Sequence, residues 1–260
     1  MIRTEQNNLT YYRFATLDHP SLVQAVFTRL GGSSSAPFDS LNVGLSVGDE
    51  PTAVQNNLDL VYKALGVQAN QIVTARQVHG CRVARVDSDA GGAVIADTDA
   101  LVTNCAGIYL LMRYADCVPV VLWDPEHNAI GLVHAGWQGT LKQVTKAAVE
   151  RMVTEFNSQP EVLQAGIGPA IGPCCFEVGP EVVASVQAAL PDALKVLSRQ
   201  TQNGHAHLDL WAANRGQLER YGVWQIKVAE RCTCCHQDEF YSHRGCGGRT
   251  GRFAVIIGLR

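Results

Sequence analysis

The stretch 117-CVPVVLWDPEHNAIGLVHAGWQGT-140 decides the fold. Cys117 to Trp123 and Ala129 to His134 are short apolar runs rich in Val, Ile and Leu, separated by Pro125-Glu126-His127-Asn128, a composition that reverses a chain. Two adjacent buried antiparallel strands are expected. In such a pair the first residue of one strand lies opposite the last residue of the next, so Cys117 and His134 share one edge of a sheet. After His134 a glycine-rich turn leads into helical spacing near Thr140, and amides at a helix start can face an anion.

Outward from this hairpin, Ala25 to Phe27, Ile108 to Met112 and Phe253 to Leu259 are further apolar runs that read as buried strands. Helical spacing covers Thr52 to Leu65, Thr140 to Phe156, Pro180 to Leu190 and Asp209 to Tyr221, the first two entered through capping residues. Strands and helices interleave, which predicts an α/β (α+β) chain. With no internal repeat or low-complexity linker, residues 1–260 form one domain.

Composition narrows the function classes. The 260 residues are 47% hydrophobic and 17% charged, enough to bury one large core and to exclude a disordered or fibrous chain. A formal net charge of -3 leaves no excess of Lys and Arg to neutralise a phosphate backbone, so a small molecule is a better partner than nucleic acid. The opening MIRTEQNNLTYYRF has no apolar run behind basic residues and no segment suits a bilayer, so a cytoplasmic chain without membrane contact is expected. Nothing in the pattern demands a large apolar interface, which favours a monomer. Nine cysteines, odd in number and partly adjacent, do not read as a disulfide framework; they are core residues, metal ligands or nucleophiles.

Three segments each set a metal-capable side chain beside small or turn-forming residues: Arg76-Gln77-Val78-His79-Gly80, Ala115-Asp116-Cys117-Val118-Pro119, and His134-Ala135-Gly136-Trp137. Imidazole and thiolate are the usual ligands of zinc, and three protein ligands with one open position mark a catalytic site. Their wide separation matches no short-range metal motif, so a buried cysteine with two backbone-satisfied histidines is the competing reading. The hairpin geometry favours the metal.

Eight motifs in order carry a resemblance across nearly the whole chain: TRLGG at 28–32, FDSLNVG at 38–44, QVHG at 77–80, DTDALVT at 97–103, ADCVPV at 115–120, HAGWQGT at 134–140, IGPAIGPCCFEVG at 167–179 and FYSHR at 240–244. The chain closely resembles the laccase-domain family, whose members have been called polyphenol oxidases, purine nucleoside phosphorylases and peptidoglycan editing factors. The resemblance implies zinc on His79, Cys117 and His134. It also implies mixed sheets packed as a central sandwich with helices outside. The implied activities are phosphorolysis of adenosine, inosine and methylthioadenosine, and deamination of adenosine. One departure stands out: the family's Arg-Arg-Asp near the C-terminus reads Arg244-Gly245-Cys246 here.

A metal with a vacant position can lower the pKa of bound water to about 7 and can polarise a phosphate or a purine ring. Asp116 is the neighbouring acid for a proton, and Asn42, Arg244, Arg249, Arg252 and the amides of Gly136 to Gly139 are candidates for holding substrate phosphate. Zinc nucleobase deaminases use H-x-E followed by P-C-x-x-C, and Pro173-Cys174-Cys175 lacks both the Glu segment and the spacing. Cys174 and Cys175 then read as packing residues. A multicopper laccase needs a histidine-dense cluster, whereas eight histidines include a single H-x-H pair, His205-Ala206-His207, in a polar stretch that reads as a surface loop. Copper in the His-Cys-His site could still give some oxidation. Cys232-Thr233-Cys234-Cys235-His236 offers soft ligands but shows no matching second half, and the resemblance, which covers only Cys232 and Thr233 of it, implies a local structural role. Two other functions use the same residues: a cysteine hydrolase with Cys117 as nucleophile acting on a cell-wall precursor, and a non-catalytic sensor.

Overall fold

The computed structural model describes residues 1–260. The chain opens with the strands β1 (Ile2–Gln6), β2 (Leu9–Arg13) and β3 (Leu22–Phe27), helix α1 (Pro51–Leu65), and β4 (Ile72–Ala75), β5 (Val83–Arg85) and β6 (Val94–Ile95). The middle supplies β7 (Ala100–Thr103), β8 (Tyr109–Tyr114), β9 (Val118–Asp124) and β10 (Ala129–Ala135), then helices α2 (Trp137–Leu141) and α3 (Val144–Phe156). The remainder adds β11 (Gln164–Ile167), β12 (Glu177–Val178), α4 (Pro180–Ala189), α5 (Ala193–Val196), β13 (Leu197–Ser198), β14 (Ala206–Leu208), α6 (Leu210–Arg220), β15 (Gln225–Val228) and β16 (Phe253–Leu259).

These strands form a seven-stranded sheet in the order β1-β2-β3-β16-β8-β4-β6, a six-stranded sheet in the order β15-β11-β9-β10-β7-β5, and a small sheet β12-β14-β13. The two large sheets are mixed: β4 pairs in parallel with β6 and β8, and β5 with β7, while the centres are antiparallel. Alternation along the strands explains how they stack. In β10, Ile130 and Leu132 enter a core shared with Leu110, Met112, Val255 and Ile257 of the other sheet, whereas Ala129, Val133 and Ala135 face a second core against α3, α4 and α6. A third core lies between the seven-stranded sheet and α1. The architecture is therefore α+β, two mixed sheets face to face with helices outside.

The expected hairpin forms as β9 and β10, with His134 opposite Pro119 and Ala135 opposite Val118. The helix expected over Thr140 to Phe156 is instead two helices. Gln143 sits at φ 61 and ends the first, while Gln217 of α6 donates to the Thr140 carbonyl at 2.7 Å. Neither entry uses a side-chain cap: α1 starts with a proline in its first turn, and α3 starts from the left-handed Gln143. Asp209, by contrast, does cap α6, accepting from the Ala212 amide at 2.9 Å. The polar stretch ending at His207 finishes in β14, not in a loop, and its His207 Nδ1 hydrogen-bonds the Pro173 carbonyl. No helix is long and apolar enough to cross a membrane.

Candidate metal centre

The site lies where the chain passes from one large sheet to the other. Strand β8 ends at Tyr114 in the first sheet, β9 begins at Val118 in the second, and Ala115, Asp116 and Cys117 make the crossing, with Asp116 at φ 80. Because side chains alternate, Cys117 emerges on the same face of the β9–β10 hairpin as His134, one diagonal step away. His134 is buried, Cys117 half-buried and His79 exposed, so the group opens from the core toward solvent. Their ligand atoms all lie within 4.8 Å of one another.

His79 reaches this point through a turn built by the sequence QVHG. Gln77 locks the turn to β8, donating to the Arg113 carbonyl at 2.8 Å and accepting from the Arg113 amide at 3.0 Å. The next three amides, of Val78, His79 and Gly80, all donate to the carboxylate of Asp99, at 3.2, 3.0 and 2.7 Å. His79 is forced to φ 58, a strained conformation for a side chain of that size, and the three-amide clamp is what holds it there.

Asp99 also meets His134 Nδ1 at 2.8 Å and is fully buried. A carboxylate only accepts, so Nδ1 carries the hydrogen and Nε2 is the atom left to face Cys117 and His79. One side chain thus orients both imidazoles, one through its ring and the other through its backbone, an outer-sphere arrangement characteristic of metal-binding histidines. Asp99 was not singled out from the sequence, although the DTDALVT motif contains it. Only the structure shows the need for it: three consecutive amides pointing inward from the left-handed turn require an acceptor.

The donor set fits a metal. Two imidazoles and a thiolate are borderline-soft ligands, and the space between them is kept clear by Gly136, where an added Cβ would lie 2.8 Å from His79 Cδ2 and 2.9 Å from Cys117 Sγ. Electrostatics point the same way. Burial raises the Cys117 thiol, but the His134 and His79 rings outweigh it and push the group down to about 6. Burial lowers His134, but the Cys117 thiolate and the Asp99 carboxylate outweigh that and raise it to about 9. Without metal the two form a thiolate–imidazolium pair, which stabilises the fold between these values. It is lost as pH falls through about 6, where the thiolate protonates, and as pH rises through about 9, where His134 deprotonates. In metal-stripped protein the alkylation rate of Cys117 is expected to reach half its maximum near pH 6; a midpoint near the ordinary thiol value of about 8.5 would mean that no such pair exists.

The centre opens into a cleft of about 790 Å³. Arg76, Arg113, Arg244 and Arg252 line it against a single carboxylate, that of Asp116. Arg113 is committed to the Val43 carbonyl and the Thr74 hydroxyl, at 2.7 Å each. Arg244 is exposed, lies 5.3 Å over the Phe176 ring and donates to the Glu177 carbonyl. The Asp116 carboxylate accepts from the Thr233 hydroxyl at 2.6 Å and the Arg244 amide at 2.7 Å, so it fixes the Arg244 loop to the ligand loop. Asn42 is fully buried and is not among the residues lining the cleft; its Oδ1 accepts from the Gly44 and Arg252 amides, and its Nδ2 donates to Asp49. It shapes the wall that carries Arg252. Arg249 packs 5.9 Å over Phe38, outside the cleft.

Known proteins share this architecture. A purine nucleoside phosphorylase YlmD of Geobacillus stearothermophilus is 40% identical over 247 residues, 92% of this chain and 90% of the relative. An adenosine deaminase RL5 of an unknown prokaryotic organism is 36% identical over 224 residues, 83% and 85% of the two chains. The crystal structure of YlmD from Geobacillus stearothermophilus superposes with a TM-score of 0.93 at 36% identity, covering 99% of this chain and 98% of that one. Residues 23–260 match the family described as multi-copper polyphenol oxidoreductase laccase. That match covers all but the first 22 residues and includes His79, Cys117 and His134, and the chain belongs to this family.

Proposed function

We propose that the protein is a zinc-dependent purine nucleoside phosphorylase, acting on adenosine, inosine and S-methyl-5'-thioadenosine, with adenosine deamination as a second activity of the same centre. The observation that carries this reading is the conjunction of an open three-ligand set with a cleft that Arg76, Arg244 and Arg252 line, beside the already engaged Arg113, against the one carboxylate of Asp116. Such a lining concentrates a small anion beside the metal position. The names of the relatives supply the nucleoside.

A zinc ion held by His79, Cys117 and His134 would supply a Lewis acid at the cleft. The chain's own residues do the rest. Phosphorolysis requires an oxygen of phosphate to bond C1′ as the bond from C1′ to the purine nitrogen breaks. Arg244, Arg76, which also pairs with Asp97 at 2.9 Å, and Arg252, which also donates to the Thr250 and Gly251 carbonyls, line the cleft and would hold that phosphate in line, converting a two-body encounter into an oriented one. Leu45 and Val94, each more than half exposed, stand with Phe176, Ile171 and Trp137 as an apolar lining for the base. His134 is kept in one tautomer by Asp99 throughout.

The expected result is release of free base and ribose 1-phosphate from inosine or adenosine, dependent on phosphate and abolished by chelation, with ammonia released from adenosine alone. Absence of phosphate-dependent turnover on this panel in metal-loaded protein would remove the reading. One observation favours a second reading: Cys117, His134 and Asp99 are also in the order of a nucleophile, base and orienting carboxylate, with the thiol already lowered. A cysteine hydrolase would keep its activity after full chelation, whereas the phosphorylase would not.

A further inference from the structure

Away from the His79–Cys117–His134 centre, four cysteine sulfurs converge. Cys174 and Cys175 lie in the segment between β11 and β12, and Cys232 and Cys235 in the segment between β15 and β16. All four ligand atoms fall within 4.8 Å of one another. Cys235 Sγ is 3.6 Å from Cys174 Sγ and 3.4 Å from Cys175 Sγ. Cys175 packs against the core, as expected, and with the exposed Cys174 it also stands beside the Cys232–Cys235 pair, which shows no second half in the sequence. We propose that Cys174, Cys175, Cys232 and Cys235 form a second, structural metal site that takes zinc as a tetrathiolate.

The dimensions suit that ion. With metal–sulfur bonds of about 2.3 Å, the edges of a sulfur tetrahedron are about 3.8 Å. The spread of the four sulfurs, bounded by 4.8 Å, closes onto such a tetrahedron with small side-chain rotations. Cys232 and Cys235 have the C-x-x-C spacing found in one arm of structural zinc sites. Adjacent cysteines such as Cys174 and Cys175 rarely serve as the other arm unless the backbone is fixed from outside, and here it is. Ala170 and Cys232 form a parallel bridge, with the Ala170 amide donating to the Arg231 carbonyl and the Thr233 amide donating to the Ala170 carbonyl at 3.0 Å. The Gly172 amide donates directly to Cys232 Sγ at 3.2 Å, a contact that favours a thiolate. Cys174 and Cys235 are exposed, so an ion can enter from solvent.

Four protein ligands leave no vacant position, so this metal would hold structure and take no part in chemistry. What it would hold is the floor of the cleft. Ile171 donates its amide to the Asp116 carbonyl at 3.0 Å, and Thr233, inside the C-x-x-C loop, donates its hydroxyl to the Asp116 carboxylate. Ile171 and Phe176 line the cleft from the same segment. Binding displaces the thiol protons to solvent, so zinc uptake here is accompanied by acidification.

The test titrates the full-length, metal-stripped and reduced protein with cobalt(II) and then zinc(II). Two equivalents are expected in the wild type. Cys117→Ser should retain one, with the intense sulfur-to-cobalt charge-transfer absorption of a tetrathiolate, and Cys235→Ser should lose that absorption while retaining the other site. Since cysteine variants can misfold, the same question is put to the wild type by maleimide labelling and peptide mass analysis. Cys174, Cys175, Cys232 and Cys235 should be protected in the zinc form and labelled after chelation. A single equivalent in the wild type with none in Cys117→Ser, labelling indifferent to zinc, or recovery of the four as disulfides from the reduced preparation would overturn the proposal.

Discussion

Cys117→Ala is expected to remove metal from the His79–Cys117–His134 centre and to lower kcat/KM for nucleoside phosphorolysis by more than about 100-fold, beyond the 10- to 100-fold typical of losing an outer-sphere partner. The thiolate is the anionic member of the set, and without it two imidazoles must hold a dication. The fold should survive, because Cys117 is only half-buried and the strand that follows it is fixed by the full β9–β10 register. Metal content per chain, circular dichroism and phosphate-dependent base release together check the prediction. Unchanged phosphorolysis in a metal-depleted Cys117→Ala protein would separate the activity from this centre altogether.

Asp99→Asn is expected to act on stability and on metal affinity at once. The carboxylate accepts from three consecutive amides and from His134 Nδ1, and hydrogen bonds to a buried charged group are worth about 1.5–3 kcal/mol each. Asparagine keeps one acceptor oxygen and turns an NH2 group toward donors, so a loss of about 2–4 kcal/mol in unfolding free energy is expected from denaturant titration. Zinc affinity should fall about 10- to 100-fold, since both imidazoles lose their orientation. The pH profile supplies a separate readout. Burial raises the Asp99 carboxyl, but its bonds to His134 and to the Gly80 and Val78 amides outweigh that and hold it below the ordinary carboxylate range. Its stabilisation is therefore complete above that range and is lost as pH falls through the lowered value, a loss that Asp99→Asn should no longer show. An Asn variant that keeps wild-type zinc affinity would reduce Asp99 to a turn-stabilising residue.

The hairpin that brings Cys117 and His134 together was legible in the sequence because it depends on local information alone: two short apolar runs, a turn composition and the period of two. The helices α1, α4 and α6 were legible for the same reason, since each is a continuous amphipathic or capped segment. The break at Gln143 was not, because it is set by Gln217 and Asn214 of α6 reaching the Thr140 backbone and hydroxyl, a contact between residues far apart in sequence. Short strands such as β4, β5 and β6 pair in parallel with distant partners and carry too few residues to show alternation.

The site divides in the same way. His79, Cys117 and His134 could be named from residue type, the hairpin and the resemblance their motifs carry, and the structure brings all three together. Asp99 was hidden because a buried carboxylate has no sequence signature apart from the amides it serves. Asn42 looked like a substrate ligand in its motif, but its polar atoms are occupied by Gly44, Asp49 and Arg252. Cys175 and Cys235 are 60 positions apart, and their loops are aligned by contacts that no local pattern shows, the bridge between Ala170 and Cys232 and the Gly172 amide on Cys232 Sγ.

The most direct measurement is an anomalous difference map from crystals of protein purified without added metal and reconstituted with one equivalent of zinc per site, recorded on both sides of the zinc absorption edge. The account predicts a peak within bonding distance of Cys117 Sγ and of one ring nitrogen each of His79 and His134, with its remaining coordination position facing the cleft. An empty map at that point, with the three side chains turned apart, would contradict it.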